Sequence, residues 1–311
     1  MDTSKFKNDK EFGKFDFLGK ATVFAGVSAL LVIASLGVIF AKGFNYGIDF
    51  SGGTEIQVQF EETVGTAKIR QVTGDLGFGS ATVQSIGEDN EFLVRLGVIK
   101  GKDDAETNQR INEAIQTVTK GYQDQFQAAG VVIRRVDSVG PAIGDELKKN
   151  GLLAVFYSLL MILIYVGFRF DFQYAPGAVI CLFHDAVITL GIFSLLQREV
   201  NVQTLAAVLT IIGYSLNDTI VTFDRIRENV KLFRDHAFAF VVNRSLNDVL
   251  SRTLLTSITT MLAVAAMLVF ASGVIKDFAF TLAIGVIVGT YSSMYVASPL
   301  VIAVNNFTSK K

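Results

Sequence analysis

Six separate apolar stretches constrain this chain more than any other feature. They run from Ala21 to Ala41, Leu152 to Phe168, Tyr174 to Leu196, Val202 to Phe223, Thr253 to Ala271 and Phe278 to Val304. Each is long enough to cross, as a helix, a hydrocarbon core about 30 Å thick. Half of the 311 residues are hydrophobic and the mean hydropathy is +0.44, too apolar for an ordinary soluble domain. The expectation is an α-helical membrane protein with six transmembrane helices. The first stretch is too long for the core of a signal peptide and no small-residue cleavage pattern follows it, so it is expected to be retained.

Charge sets the orientation. The polar leader, residues 1–20, carries Lys5, Lys7, Lys10, Lys14 and Lys20, and the tail, residues 305–311, carries Lys310 and Lys311. The polar link 224–252, between the fourth and fifth helices, carries Arg225, Arg227, Lys231, Arg234, Arg244 and Arg252. The short links on the other side hold Arg198 and Lys276. Positive loops stay inside, so both termini are expected in the cytoplasm. Helices two to six then occupy residues 151–304, and residues 43–150, which follow the first helix (21–41), form a soluble domain outside the cytoplasm.

Within that domain Thr54–Phe60 alternates as a strand does, and Val64–Leu76 and Asp103–Ala129 have helical spacing. Ala81–Ile86 and Glu91–Leu96 read as a strand pair around the turn Gly87-Glu88-Asp89-Asn90, and Val131–Val136 as a last strand. The order β-α-β-β-α-β is that of a ferredoxin-like α+β fold. The stretch GIDFSGGT, Gly47–Thr54, reads as a tight turn entering the sheet, since a phosphate cradle would need a helix and a lysine next. VGPAIGDEL, Val139–Leu147, reads as a rigid joint back to the membrane.

One carboxylate stands out against this layout. Asp218 interrupts the fourth apolar stretch, where a charge costs roughly 2.5–3.5 kcal/mol and usually marks an ion or proton path. Five residues short of Phe223, it lies roughly 7–8 Å deep from the cytoplasmic end. Arg252 stands at the start of the fifth helix, and its long side chain could reach up to pair with Asp218. Such a pair is either a fixed packing contact or a site whose pairing is made and broken as a proton enters. On the fifth helix Arg252, Thr256, Thr259 and Thr260 share a face, with Thr253 and Ser257 beside it; they either hold helices together or line a wet path. Asn217, with Thr210, Tyr214 and Thr222, adds polarity near Asp218. His184 and Asp185 form an unusual pair in the third helix, belonging either to the same polar interior or to a local hydrogen bond between helices.

Several functions are disfavoured. A formal charge of −1 offers no basic face for nucleic acid. Cys181 is the sole cysteine and His236 the sole other histidine, so neither a disulfide framework nor a metal site is expected. With no nucleophile–base set, neither an enzyme nor a cofactor is expected.

In this order and topology, GIDFSGGT after the first helix, VGPAIGDEL before the second, His184-Asp185 in the third, YSLNDTIVTFDRIREN through the fourth and LSRTLLTS (Leu250–Ser257) into the fifth are specific in combination. The chain resembles the SecF branch of the SecD/SecF protein-export family, within the resistance-nodulation-division superfamily. The resemblance covers nearly the whole chain. It implies a bacterial cytoplasmic-membrane subunit that uses the proton gradient to promote late stages of export. Implied partners are SecD, the SecYEG channel, YajC, the exported polypeptide and the lipid bilayer. The family's membrane acid falls on Asp218 and its basic partner on Arg252. Asp248 departs from the uncharged polar residue common in relatives, and no SecD portion is fused here, which implies a separate partner. The rival readings are a purely structural subunit and a half-size exporter of lipids or small molecules.

Overall fold

The computed structural model describes residues 12–86, 90–170 and 172–308. Lys5, Lys7, Lys10, the Gly87–Asp89 part of the expected turn, Lys310 and Lys311 lie outside the described residues. Helix α1 (Ala21–Lys42) is followed by the two-residue strand β1 (Asn45–Tyr46) and a single helical turn, α2 (Ile48–Ser51). The domain comprises β2 (Gly53–Phe60), α3 (Thr66–Asp75), β3 (Thr82–Ser85), β4 (Glu91–Leu96), α4 (Asp104–Gln125) and β5 (Val131–Val139). Then come α5 (Pro141–Phe170), α6 (Ala175–Leu196), the short β6 (Glu199–Val200), α7 (Val202–Leu232), α8 (Phe238–Phe270) and α9 (Gly273–Ser292). A π-helical segment, Ser293–Ala297, joins α9 to α10 (Ser298–Thr308). Among the described residues, α1, α5, α6, α7, α8 and the α9–α10 stretch are long and apolar enough to cross a membrane. The domain sits at one end of this bundle and the leader at the other.

The domain sheet has the order β3-β4-β2-β5, with every neighbouring pair antiparallel. Alternation along β2 buries Ile56, Val58 and Phe60 on one face, where Ala114, Val118 and Tyr122 of α4 cover them. The Tyr122 hydroxyl has a partner in Thr73, at 2.5 Å, so the buried phenol does not stand unsatisfied. Burial pushes its pKa up to about 12.

Two glycine stretches explain each other. GIDFSGGT turns tightly into the sheet: it makes the helical turn α2 and then reverses through Gly52 and Gly53, whose φ values of 70° and 127° suit glycine. VGPAIGDEL joins the domain to the bundle as a stiff connection: β5 runs to Val139, and α5 starts at Pro141, the helix position that proline tolerates, and continues unbroken to Phe170. A Cβ on Gly144 would come within 3.1 Å of the Gly52 nitrogen, and one on Gly52 within 3.1 Å of the Pro141 Cα. The glycines let the domain's first turn lie directly on the start of α5.

The domain is also tied to α7. β1 pairs in parallel with β6, the strand just before α7. Asp49 accepts a hydrogen bond from Val202 N at 3.0 Å, and Asn201 caps the helix by accepting from Thr204 N at 2.8 Å. Arg95 of β4 lies between Glu55, at 2.9 Å, and Glu199, at 2.5 Å. Burial raises the Glu55 pKa above its ordinary value, against the pull of Arg95. The folded domain therefore holds this proton more tightly than the unfolded chain does. Domain stability should fall as pH rises from the ordinary carboxylate pKa through the raised one. Glu55→Gln should flatten that slope in unfolding followed against pH; an unchanged slope would refute the assignment.

The expected polar link 224–252 is largely helical. α7 runs on to Leu232 and α8 begins at Phe238. The charges do not end α7, because they pair across the two helices: Asp248 of α8 meets Arg225 of α7 at 2.8 Å, and Asn229 of α7 reaches Ser245 and Asp248 at 2.9 and 3.0 Å; Arg244, one turn back on α8, adds a contact to Asp248 at 3.0 Å. Asp248 is thus the ionic hub of the leader end. The leader joins there too. Buried Asn243 accepts from Phe17 N at 2.9 Å and donates to the Phe12 and Phe15 carbonyls, both at 3.0 Å.

Candidate functional site within the membrane

Helix α7 brings Ser215, Asp218, Thr219 and Thr222 to its buried side, a spacing of three and four that keeps them on one face. Asp218 is 4 % exposed, and its Oδ2 has no hydrogen-bond partner. Arg252 is exposed on the outside of α8, and among the described residues no ion pair joins it to Asp218. It is near enough to act on the carboxylate electrostatically without touching it. The expected pair is therefore not made here. Both residues stand equally far from the facing ends of α7 and α8, so they lie at one level of the bundle. Depth does not fix rotation about the helix axis, and rotation separates them.

The expected hydroxyl face of α8 is also displaced. Thr256 and Thr259 hydrogen-bond to carbonyls of their own helix and, with Thr260, look outward or sit half-buried. The inward residues are Thr253 and Ser257, and Ser257 meets Thr290 of α9 at 2.6 Å. Asn217 is exposed, away from the interior that Asp218 faces.

The best-connected polar centre is His184–Asp185. Asp185 is fully buried midway along α6. Its Oδ1 lies 2.8 Å from His184 Nδ1, and its Oδ2 accepts from Ser215 at 2.6 Å and Ser292 at 2.8 Å. Cys181 donates to Ser292 at 3.1 Å. The His184 ring stacks on Tyr291 with centroids 6.3 Å apart, and Tyr291 bonds to Ser28 at 2.9 Å and to the Phe24 carbonyl at 3.0 Å, which extends the network to α1. His184 Nε2 is buried without a partner. Sequence reasoning found His184 and Asp185 but missed Ser215, Ser292, Tyr291 and Ser28. A signal was present: Gly285 and Gly289, one turn apart on α9, are the small-residue spacing that brings membrane helices close. They face Ile211 and Ser215 of α7, and Ser292 follows on the same side.

Among the described residues no cluster of three or more His, Cys, Asp or Glu side chains could hold a metal. The site's chemistry is that of carboxylates, an imidazole and hydroxyls.

Residues 103–306 match the family described as Protein export membrane protein SecD/SecF, C-terminal, and residues 37–64 match the SecD/SecF GG motif. The protein translocase subunit SecF of Calditerrivibrio nitroreducens is 42% identical over 98% of this chain and 97% of its own length. The crystal structure of SecDF, a translocon-associated membrane protein from Thermus thermophilus, superposes with a TM-score of 0.81 at 40% identity, over 96% of this chain and 39% of that one. A structure of SecDF in a super-membrane-facing form superposes with a TM-score of 0.69 at 40% identity, over the same shares of the two chains.

Proposed function

We infer the function from one premise: this chain belongs to the SecD/SecF family of protein export membrane proteins. It is a multi-pass membrane protein of the Sec pathway. Our reading is that it serves as the SecF-type accessory subunit of the translocase, coupling the proton gradient to late steps of export, with no catalytic chemistry of its own. The termini lie in the cytoplasm, and the α+β domain, ferredoxin-like by its strand order, lies outside the cytoplasmic membrane.

The observation that carries the coupling is Asp218, a buried carboxylate in a membrane helix with one oxygen unpartnered. An ionised carboxylate held there is costly, whereas a protonated one is not. A proton arriving from outside would therefore change which arrangement of α7 is preferred. One charge crossing about 100 mV supplies about 2.3 kcal/mol, comparable with the gap between two states of a bistable element. Because β6, Asp49 and Arg95 tie the N-terminal end of α7 to the domain, a shift of α7 would reach the domain directly. The domain would then hold or release an emerging polypeptide.

Exposed Arg252 favours a partner on the α7–α8 face. A guanidinium at bilayer depth is expensive against lipid, and a second helical bundle would shield it. The fused SecDF relative, of which this chain matches 39%, supports a SecD-type subunit as that partner. SecYEG, YajC and the exported chain complete the proposed assembly. The rival reading is a purely structural subunit, and the reconstitution below separates the two.

The test is reconstitution. Vesicles containing SecD and the channel should complete export of a trapped preprotein faster when this chain is present and a proton gradient is imposed. An equal gain without the gradient would support the structural reading instead.

A further inference from the structure

On the reading that Asp218 carries a proton, we propose that the His184–Asp185 pair is a second proton-holding site, through which Asp218 is loaded from the domain side. α7 runs from the domain end towards the leader end, and Ser215 precedes Asp218 by one turn, so it lies about 4.5 Å nearer the domain end. Ser215 is the residue bonded to Asp185, at 2.6 Å. A proton entering from the domain side therefore reaches the level of Asp185 before that of Asp218.

The pair is built to hold one proton. With it, the pair is neutral, either as imidazolium with carboxylate or as imidazole with carboxylic acid. Without it, a net negative charge remains at the middle of a membrane helix. Two hydroxyls donate to the Asp185 carboxylate and His184 Nδ1 shares a hydrogen bond with it, while His184 Nε2, on a residue only 4 % exposed, has no partner and is open to a proton. The groups around the pair are few. Among the described residues the hydrogen-bonded and stacked neighbours are Cys181 on α6, Ser215 on α7, and Tyr291 and Ser292 on α9; α1 contributes Ser28 and a carbonyl through Tyr291. Among the described residues no Lys or Arg pairs with Asp185, so the proton neutralises it. In the step, a hydronium ion on the domain side gives one proton to the pair and is left as water, the pair gives one to the Asp218 carboxylate, and the covalent skeleton does not change. The following π-helical segment, Ser293–Ala297, gives the Ser292 end of the network a local irregularity of the kind found at functional sites.

The experiment uses the full chain with its SecD-type partner in proteoliposomes, with proton uptake followed by a trapped pH dye. Asp185→Asn and His184→Gln should each slow uptake by about tenfold or more, equivalent to ~1.4 kcal/mol on the transfer barrier, with partner retention unchanged. Asp218→Asn should abolish uptake. His236 is the only other histidine, so a His236→Asn background leaves His184 as a single 15N-histidine signal in magnetic resonance. That signal should change protonation or tautomeric form when a proton is loaded, and Asp218→Asn should alter the change. Normal uptake in both His184 and Asp185 variants, with Asp218→Asn inactive, would overturn the inference while leaving the Asp218 reading intact. A His184 signal fixed in one neutral form would overturn it even if Asp185→Asn failed to assemble. Normal uptake in Asp218→Asn would instead overturn the reading on which the inference rests.

Discussion

Asp218→Asn is expected to abolish proton-driven export while leaving the membrane complex assembled. Asparagine matches the shape of aspartate but cannot take up or release a proton. The structural cost should be small, because Oδ2 of Asp218 has no partner to lose and no ion pair with Arg252 to break. Asparagine carries no charge, so the substitution relieves part of the roughly 2.5–3.5 kcal/mol insertion cost of aspartate, and the variant should assemble at least as well as the parent. Asp218→Glu, which keeps the titration but moves it by one methylene, should retain part of the activity. Export rates in vesicles with and without an imposed gradient, beside recovery of the SecD-type partner, separate the possibilities. Gradient-stimulated export at the parental rate in Asp218→Asn would end the coupling model. The double change Asp218→Asn with Arg252→Gln adds a second discriminator: a packing role predicts retained function, and coupling predicts loss.

Much of the architecture was legible because its causes are local. Apolar length yields membrane helices, and alternation yields strands such as Glu91–Leu96, whose observed limits match those read from the sequence. What was not legible depends on rotation and on distant partners. The burst of charge from Asp224 to Glu228 looks like a helix end, yet α7 continues because Asp248 and Asn229 pair it with α8. Arg252 and Thr256 share a face of α8, but which neighbour that face meets depends on helix packing that no local pattern encodes. Ser215 and Ser292 are ordinary serines in the sequence. They become ligands of Asp185 only when three helices converge. The carboxylate was visible; its surroundings were not.

The contact that brings those helices together leads to a second large effect. Gly289→Leu is expected to break the α7–α9 interface and empty the polar centre. A Cβ at residue 289 would already lie 3.1 Å from the Ser215 Cβ and 3.6 Å from its Cα, so even alanine forces a displacement of a few tenths of an ångström. The rest of a leucine has no room and must push α7 away. Overpacking of this kind costs about 1–3 kcal/mol. The displaced Ser215 also withdraws a donor from the fully buried Asp185, and a buried polar group left short of a partner costs about 1–3 kcal/mol, more when charged. The two effects reinforce each other because one movement causes both. Gly26→Leu on α1 is the control: a Cβ there meets nothing within 4 Å, so the same added bulk should be tolerated. Thermal unfolding in detergent should show a strongly lowered midpoint for Gly289→Leu, a small decrease for Gly289→Ala and parental behaviour for Gly26→Leu. Equal midpoints for the two leucine variants would mean that close approach at Gly289 does not hold the site together.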